Sequence, residues 1–168
     1  MTLTIEPERM KKLAAVNGLA PLIGFTPLLE IEYTLDGRPH RLYAKYELEN
    51  MTGSVKDRMA AHIFRRAYES GQCQPGDTIV ETSSGNTGIS FAAVGKALGH
   101  PVRIYMPNWM SQERVQLMHN FGAEVIPVSH EQGGFVGAIG MSEQYAREHD
   151  RIRRPTPVPR ERGTGFGL

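Results

Sequence analysis

From Asp77 to Asp150 the chain repeats one unit three times: a short apolar run, a turn of small or polar residues, then ten or more residues of helical pattern. The apolar runs are Thr78 to Glu81, Val102 to Met106 and Glu124 to Val128; the helical stretches are Thr87 to Leu98, Ser111 to Phe121 and Gly134 to Glu148. Strands this short and apolar, alternating with helices, belong to a parallel sheet covered on both faces and joined by right-handed crossovers. The fold class is therefore α/β, with three layers and a ligand crevice at the carboxyl ends of the strands. The loops after Glu81, Met106 and Val128 are the places to look for chemistry.

Upstream, Pro7 to Asn17 reads as a short helix, with Met10, Leu13 and Ala14 at helical spacing before Gly18. Phe25 to Tyr33 and Arg41 to Glu47 alternate like strands, and Leu35-Asp36-Gly37 between them has the chemistry of a hairpin turn. Ser54 is placed to cap a helix from about Val55 to Glu69, which Gly71 stops. The expected organisation is an N-terminal helix and hairpin over residues 1–45, an α/β domain over 46–150 and an irregular tail over 151–168.

Composition narrows the function classes. With 40% hydrophobic and 22% charged residues, the 168-residue chain suits one globular core and excludes collagen-like or coiled-coil architecture. A net charge of +1 gives no ground for a nucleic-acid or membrane-surface partner. No apolar run approaches the roughly 20 residues that span a bilayer, and Met1 to Met10 lacks the pattern of a signal peptide. The single Cys73 excludes an internal disulfide, and the expected location is the reducing cytoplasm. The histidines show no close metal-ligand spacing and read as surface or capping residues; no metal is expected. Met106, Met110 and Met118 near Trp109 could form a soft partner surface, but read as core filling around a helix start. The tail sets five arginines against one glutamate, a net +4 that leaves −3 on residues 1–150. Its Arg, Pro and Gly content cannot build a core, and it reads as a solvated linker, a shifted reading frame or a basic binding tail.

Two segments carry chemistry, each where a helix begins. In Glu49-Asn50-Met51-Thr52-Gly53-Ser54-Val55-Lys56-Asp57-Arg58 a lysine stands at a helix start, where the dipole disfavours positive charge by roughly 0.3–1 kcal/mol. Such a position suits an amine that reacts in its free form as a Schiff-base nucleophile, although a lysine near a helix start is commonly just a surface residue. In Glu81-Thr82-Ser83-Ser84-Gly85-Asn86-Thr87-Gly88 small residues between a strand and a helix let backbone N–H groups converge on an anion, or simply cap the helix.

Together, Gly-Ser-Val-Lys-Asp-Arg and, about thirty residues on, Ser-Ser-Gly-Asn-Thr-Gly resemble the cysteine synthase and cystathionine β-synthase family of fold type II pyridoxal-phosphate enzymes. Ile23-Gly24-Phe25-Thr26-Pro27-Leu28, Tyr43-Ala44-Lys45-Tyr46-Glu47, Met106-Pro107 with Ser111-Gln112-Glu113-Arg114, and Phe121-Gly122-Ala123-Glu124-Val125 extend the resemblance over roughly Leu22 to Glu148. The resemblance implies that Lys56 holds pyridoxal phosphate covalently and acts as the base for the substrate α-proton. It implies that Asn86 hydrogen-bonds the cofactor ring hydroxyl, and that Ser83, Ser84, Gly85, Asn86 and Thr87 bind the substrate carboxylate. The implied reaction is β-elimination or β-replacement on a serine-type amino acid, a lyase or transferase chemistry of cysteine biosynthesis.

Met51 stands where the family often has proline, and Ser83 where it usually has threonine, so substrate choice within the family is left open. The family's phosphate-gripping loop and pyridine-facing serine belong to a C-terminal half with no counterpart here. Gly163-Thr164-Gly165-Phe166-Gly167 does not replace that loop, because no apolar strand precedes it and no helix follows. The chain thus reads as a truncated or frameshifted N-terminal portion, weakly active or inactive alone, and self-association into a homo-oligomer is compatible with its uncovered surface. Two alternatives stay open at this stage: a non-catalytic fragment, and a small anion-binding α/β domain.

Overall fold

The computed structural model describes residues 7–149 and 152–153. Its elements in chain order are α1 (Pro7–Gly18), β1 (Leu28–Leu35), β2 (Arg38–Lys45), α2 (Lys56–Ser70), β3 (Thr78–Thr82), α3 (Asn86–Ala97), β4 (Val102–Pro107), α4 (Gln112–Asn120), β5 (Glu124–Val128), α5 (Gly134–Glu148) and β6 (Ile152–Arg153). Strands β3 to β6 form a sheet in the order β5-β4-β3-β6, every pair parallel.

The order determines where a ligand can sit. The chain steps outward from β3 to β4 to β5, then returns through α5 to β6 on the far side of β3. With right-handed crossovers, the outward helices and the returning helix lie on opposite faces, and the strand order reverses beside β3. The crevice of such a sheet opens at the carboxyl end of the strand where the order reverses. That end leads directly into Ser83 to Thr87.

Because side chains alternate across a strand, Ile79 and Ile104 enter one core layer, while Val80 and Tyr105 enter the other. The larger layer packs Phe64 and Tyr68 of α2 with Phe91, Val94 and Leu98 of the α3 region and Met118 of α4. The smaller joins Val80, Tyr105 and Val128 to Ala138 of α5. Burying such side chains contributes about 1.5–3 kcal/mol each before conformational entropy is charged. Met106 and Met118 are buried, as core filling requires, whereas Trp109 is 44% exposed and stacks on His130 with ring centroids 3.6 Å apart.

Two sequence expectations shift. Strand β1 begins at Leu28 rather than Phe25, because Gly24 and Phe25 both have positive φ and Phe25 is 94% exposed. β2 begins earlier than expected, so that Asp36 and Gly37, both at positive φ, form a two-residue turn with Leu35 opposite Arg38. His100 is also no surface residue: it is buried, with Nδ1–H donating to the Asp77 carbonyl oxygen at 2.7 Å and Nε2 accepting from the Tyr68 hydroxyl. A carbonyl can only accept, which settles the tautomer as Nδ1–H. Burial pushes the His100 pKa down and that of Tyr68 up.

The tail expectation differs at its start, where Ile152 and Arg153 pair with Thr78 and Ile79 as the edge strand β6. The remainder of the tail, with Gly163 to Gly167, lies outside the described residues. Among the described residues no helix is long and apolar enough to cross a membrane.

Candidate cofactor site

Lys56 is the first residue of α2 and is exposed. The helix start is built by the loop before it: the Ser54 hydroxyl accepts the Lys56 amide at 3.1 Å, and the Ser54 carbonyl accepts the Asp57 amide. The N-cap position itself falls on Val55, one residue later than the expected Ser54, and carries no side-chain cap. Gly71, at φ 76, closes the other end in the left-handed conformation. Among the described residues the Lys56 amine makes no hydrogen bond or ion pair, so it is free for a ligand.

The segment ahead of Lys56 is tied down by a network the sequence did not reveal. Arg58 grips the Glu47 carboxylate with two hydrogen bonds, Nε to Oε2 at 2.8 Å and Nη2 to Oε1 at 3.0 Å. The Thr26 hydroxyl donates to the same carboxylate at 2.8 Å and accepts from Arg58 at 3.0 Å. The Asn50 carboxamide donates to Glu47 at 2.7 Å and accepts the Gly24 amide at 2.9 Å. The Arg58 hydrogen bond, followed by that of Asn50, holds the Glu47 carboxyl down at about 2. The foot of the hairpin and the start of α2 therefore form one unit.

The anion loop is shaped from within. The Ser83 hydroxyl, buried, accepts the Gly88 amide at 2.9 Å and the Gly85 amide at 3.3 Å, while the Ser83 amide bonds the Tyr105 carbonyl in the sheet. Ser83 is thus committed to the loop's shape. Helix geometry leaves the first amides of α3, those of Asn86 and Thr87, without intrahelical acceptors, and Asn86 is exposed. Beside the position a β-carbon would take at Gly85 there is open space within 4 Å, which leaves room for a ligand to approach. Arg114 of α4 donates to the Ser84 carbonyl at 3.3 Å and braces the loop from outside. At the strand end, the Thr82 hydroxyl donates to Ser142 of α5 at 2.9 Å.

The lysine segment is joined to the helix that follows the anion loop, about thirty residues on. The Asp57 carboxylate accepts the Thr52 amide at 2.6 Å and the Ser90 hydroxyl at 2.5 Å, linking the lysine loop to α3. An exposed amine at the start of α2, and an exposed carboxamide with helix-terminal amides at the start of α3, are donor types suited to an anionic aldehyde cofactor and an amino-acid carboxylate.

Comparison with known proteins settles the family. The family model described as pyridoxal-phosphate dependent enzyme matches residues 19–160, most of the chain. The chain belongs to that family. Among curated relatives of this pyridoxal-phosphate enzyme, the cysteine synthase of Staphylococcus aureus is 39% identical over 134 residues, 80% of this chain and 43% of that protein. Cysteine synthase 1 of Emericella nidulans is 44% identical over 113 residues, 67% of this chain and 30% of that protein. A solved hydrogen sulfide-producing enzyme of Fusobacterium nucleatum superposes with a TM-score of 0.81 at 45% identity, over 84% of this chain and 42% of that one. A cysteine synthase structure from Entamoeba histolytica gives 0.70 at 30% identity, over 92% and 46%. These neighbours share the fold type II architecture, and the chain spans less than half the length of each. The family cofactor is pyridoxal phosphate, and the chemistry of an exposed lysine amine at one helix start and a small-residue loop at another is compatible with it.

Proposed function

We propose that this chain provides the lysine and anion-loop portion of a pyridoxal-phosphate enzyme that carries out β-elimination or β-replacement on serine-type amino acids, as cysteine synthases do. The observation that supports the reading is the Ser90–Asp57 hydrogen bond, which ties the turn of α2 that bears Lys56 to α3, the helix into which the Ser83 to Thr87 loop leads. Pyridoxal phosphate, when bound, supplies an electron sink for the charge that develops at the substrate α-carbon. Lys56 would hold the cofactor and, once displaced by substrate, take up the α-proton on its amine. Asn86 would orient the cofactor through its ring hydroxyl. The amides of Asn86 and Thr87, with Ser84 and Gly85 beside them, would bind the substrate carboxylate, and Ser83 would keep their spacing.

Anchoring a phosphate dianion takes several charge-assisted hydrogen bonds of about 1.5–3 kcal/mol each, and by resemblance those donors belong to the family's C-terminal half. The 168-residue polypeptide alone is therefore expected to bind the cofactor weakly, through Lys56, and to show no appreciable turnover. The test is cysteine formation from a β-substituted serine and sulfide, with a parallel cofactor titration, each beside Lys56→Ala. Cofactor binding lost in Lys56→Ala supports the assignment. Binding unchanged in that variant contradicts it, and robust turnover contradicts the expectation for the polypeptide alone.

A further inference from the structure

Asp57 follows Lys56 in the chain, yet while Lys56 is exposed, Asp57 is fully buried. An acid in the first turn of a helix needs no burial to complement the dipole. This one is surrounded by donors from two other segments. Its Oδ2 accepts the Thr52 amide at 2.6 Å, and its Oδ1 accepts both the Thr52 hydroxyl and the Ser90 hydroxyl at 2.5 Å. The Thr52 and Ser90 hydroxyls themselves lie 3.5 Å apart. Thr52 is four residues before Lys56, and Ser90, fully buried, is four residues after Asn86, one turn along the same helix.

We propose that Asp57 is a positioning residue that fixes the Lys56 end of α2 relative to the anion loop; this rests on the reading of Lys56 as the cofactor lysine. The reason is geometric. A buried carboxylate demands that its donors stay in place, because an unsatisfied charge in the interior is more costly than a neutral gap. The demand falls on one residue of the lysine loop and one of α3. Movement of α2 against α3 would strip at least one donor from Asp57, so the separation of Lys56 from Asn86 is held by the same carboxylate. Thr52 and Ser90 act through Asp57, to which both donate.

Asp57→Asn preserves size while replacing one acceptor oxygen by a donor that faces other donors. Two readouts on the folded 168-residue protein test the proposal: hydrogen–deuterium exchange, and the rate at which pyridoxal phosphate with borohydride modifies Lys56 relative to the exposed Lys96. Exchange in peptides covering 51–55 and 84–88 should rise about tenfold while that of β4 stays unchanged. The Lys56 to Lys96 modification ratio should fall by about threefold or more. Ser90→Ala, which spares the Thr52 bonds, should move both readouts in the same direction, and it decides the matter if Asp57→Asn does not fold. Unchanged loop exchange and an unchanged ratio in a folded variant overturn the proposal. Wild-type protein in which Lys56 reacts no faster than Lys96 overturns instead the reading of Lys56, and the exchange result then stands on its own.

Discussion

Lys12 of the N-terminal helix donates from Nζ to the carbonyl oxygen of Leu98, the residue that terminates α3. The last carbonyls of a helix lack intrahelical donors and carry the negative end of its dipole, so an ammonium there is favourable twice over. On the same helix, the Arg9 guanidinium covers Gly71, the residue that ends α2, at 3.1 Å from where a β-carbon would stand. One amphipathic helix thus places cations at the ends of the two helices that bear the site. Lys12→Met should lower stability by about 1 kcal/mol, read as a shift in urea midpoint with unchanged slope. An unshifted midpoint would remove α1 from this role.

Gly88 is where the anion loop meets the core. A β-carbon there would lie 2.8 Å from Met118 Cε, 3.2 Å from Ser83 Cβ and 3.3 Å from Ile104 Cγ2. The Met118 end can swing away, but Ser83 anchors the loop. Gly88→Ala should cost about 1–3 kcal/mol in thermal or denaturant unfolding and weaken cofactor binding by distorting the Ser83 hydroxyl cap. Loss of stability with full cofactor affinity would show that the loop tolerates the shift.

The buried His100 gives the fold a pH dependence of definite sign. Burial lowers its folded-state pKa below the ordinary 6.5, so the unfolded chain binds the proton more readily. Stability from this group is complete above pH 6.5 and falls as pH drops below it. Glu47, held at about 2 against an ordinary 4.5, adds a second loss as pH falls from 4.5 toward 2. Unfolding free energy measured across pH 5 to 7.5 should decline on acidification in wild type and decline less in His100→Asn. Equal slopes would contradict the burial account.

The hairpin presents Leu29, Ile31, Tyr33 and Leu35 of β1 on the same face as Leu42 of β2, all 40–55% exposed. A two-stranded ribbon with an uncovered apolar face is a site of association. The 168-residue polypeptide should sediment with concentration-dependent self-association, and Ile31→Thr with Leu42→Thr should reduce it. A monomer at all concentrations would rule this out.

The legibility of the sequence follows the range of the interactions. Strand β5 and helix α5 occupy the expected residues because an apolar run and a Gly-Gly helix start are local signals. The start of β1 is not legible locally, because the turn at Gly24 and Phe25 is held by Asn50, which accepts the Gly24 amide across 26 positions. His100 reads locally as a surface residue because its partner Tyr68 lies 32 positions away. The same limit applies at the site: Lys56 and the small-residue loop stand out locally, whereas Asp57 is recognisable only through Ser90, 33 positions on. Local chemistry named the participants, and tertiary packing supplied what holds them together.

If the proposed function holds, Lys56 is the residue that takes the cofactor. Incubating the protein with pyridoxal phosphate, reducing with borohydride and mapping the modified peptides by mass spectrometry tests it most directly. Modification at limiting cofactor should concentrate on Lys56, and Asn86→Ala should weaken it there without altering Lys96. Label distributed over Lys11, Lys96 and Lys56 in proportion to their exposure would contradict it.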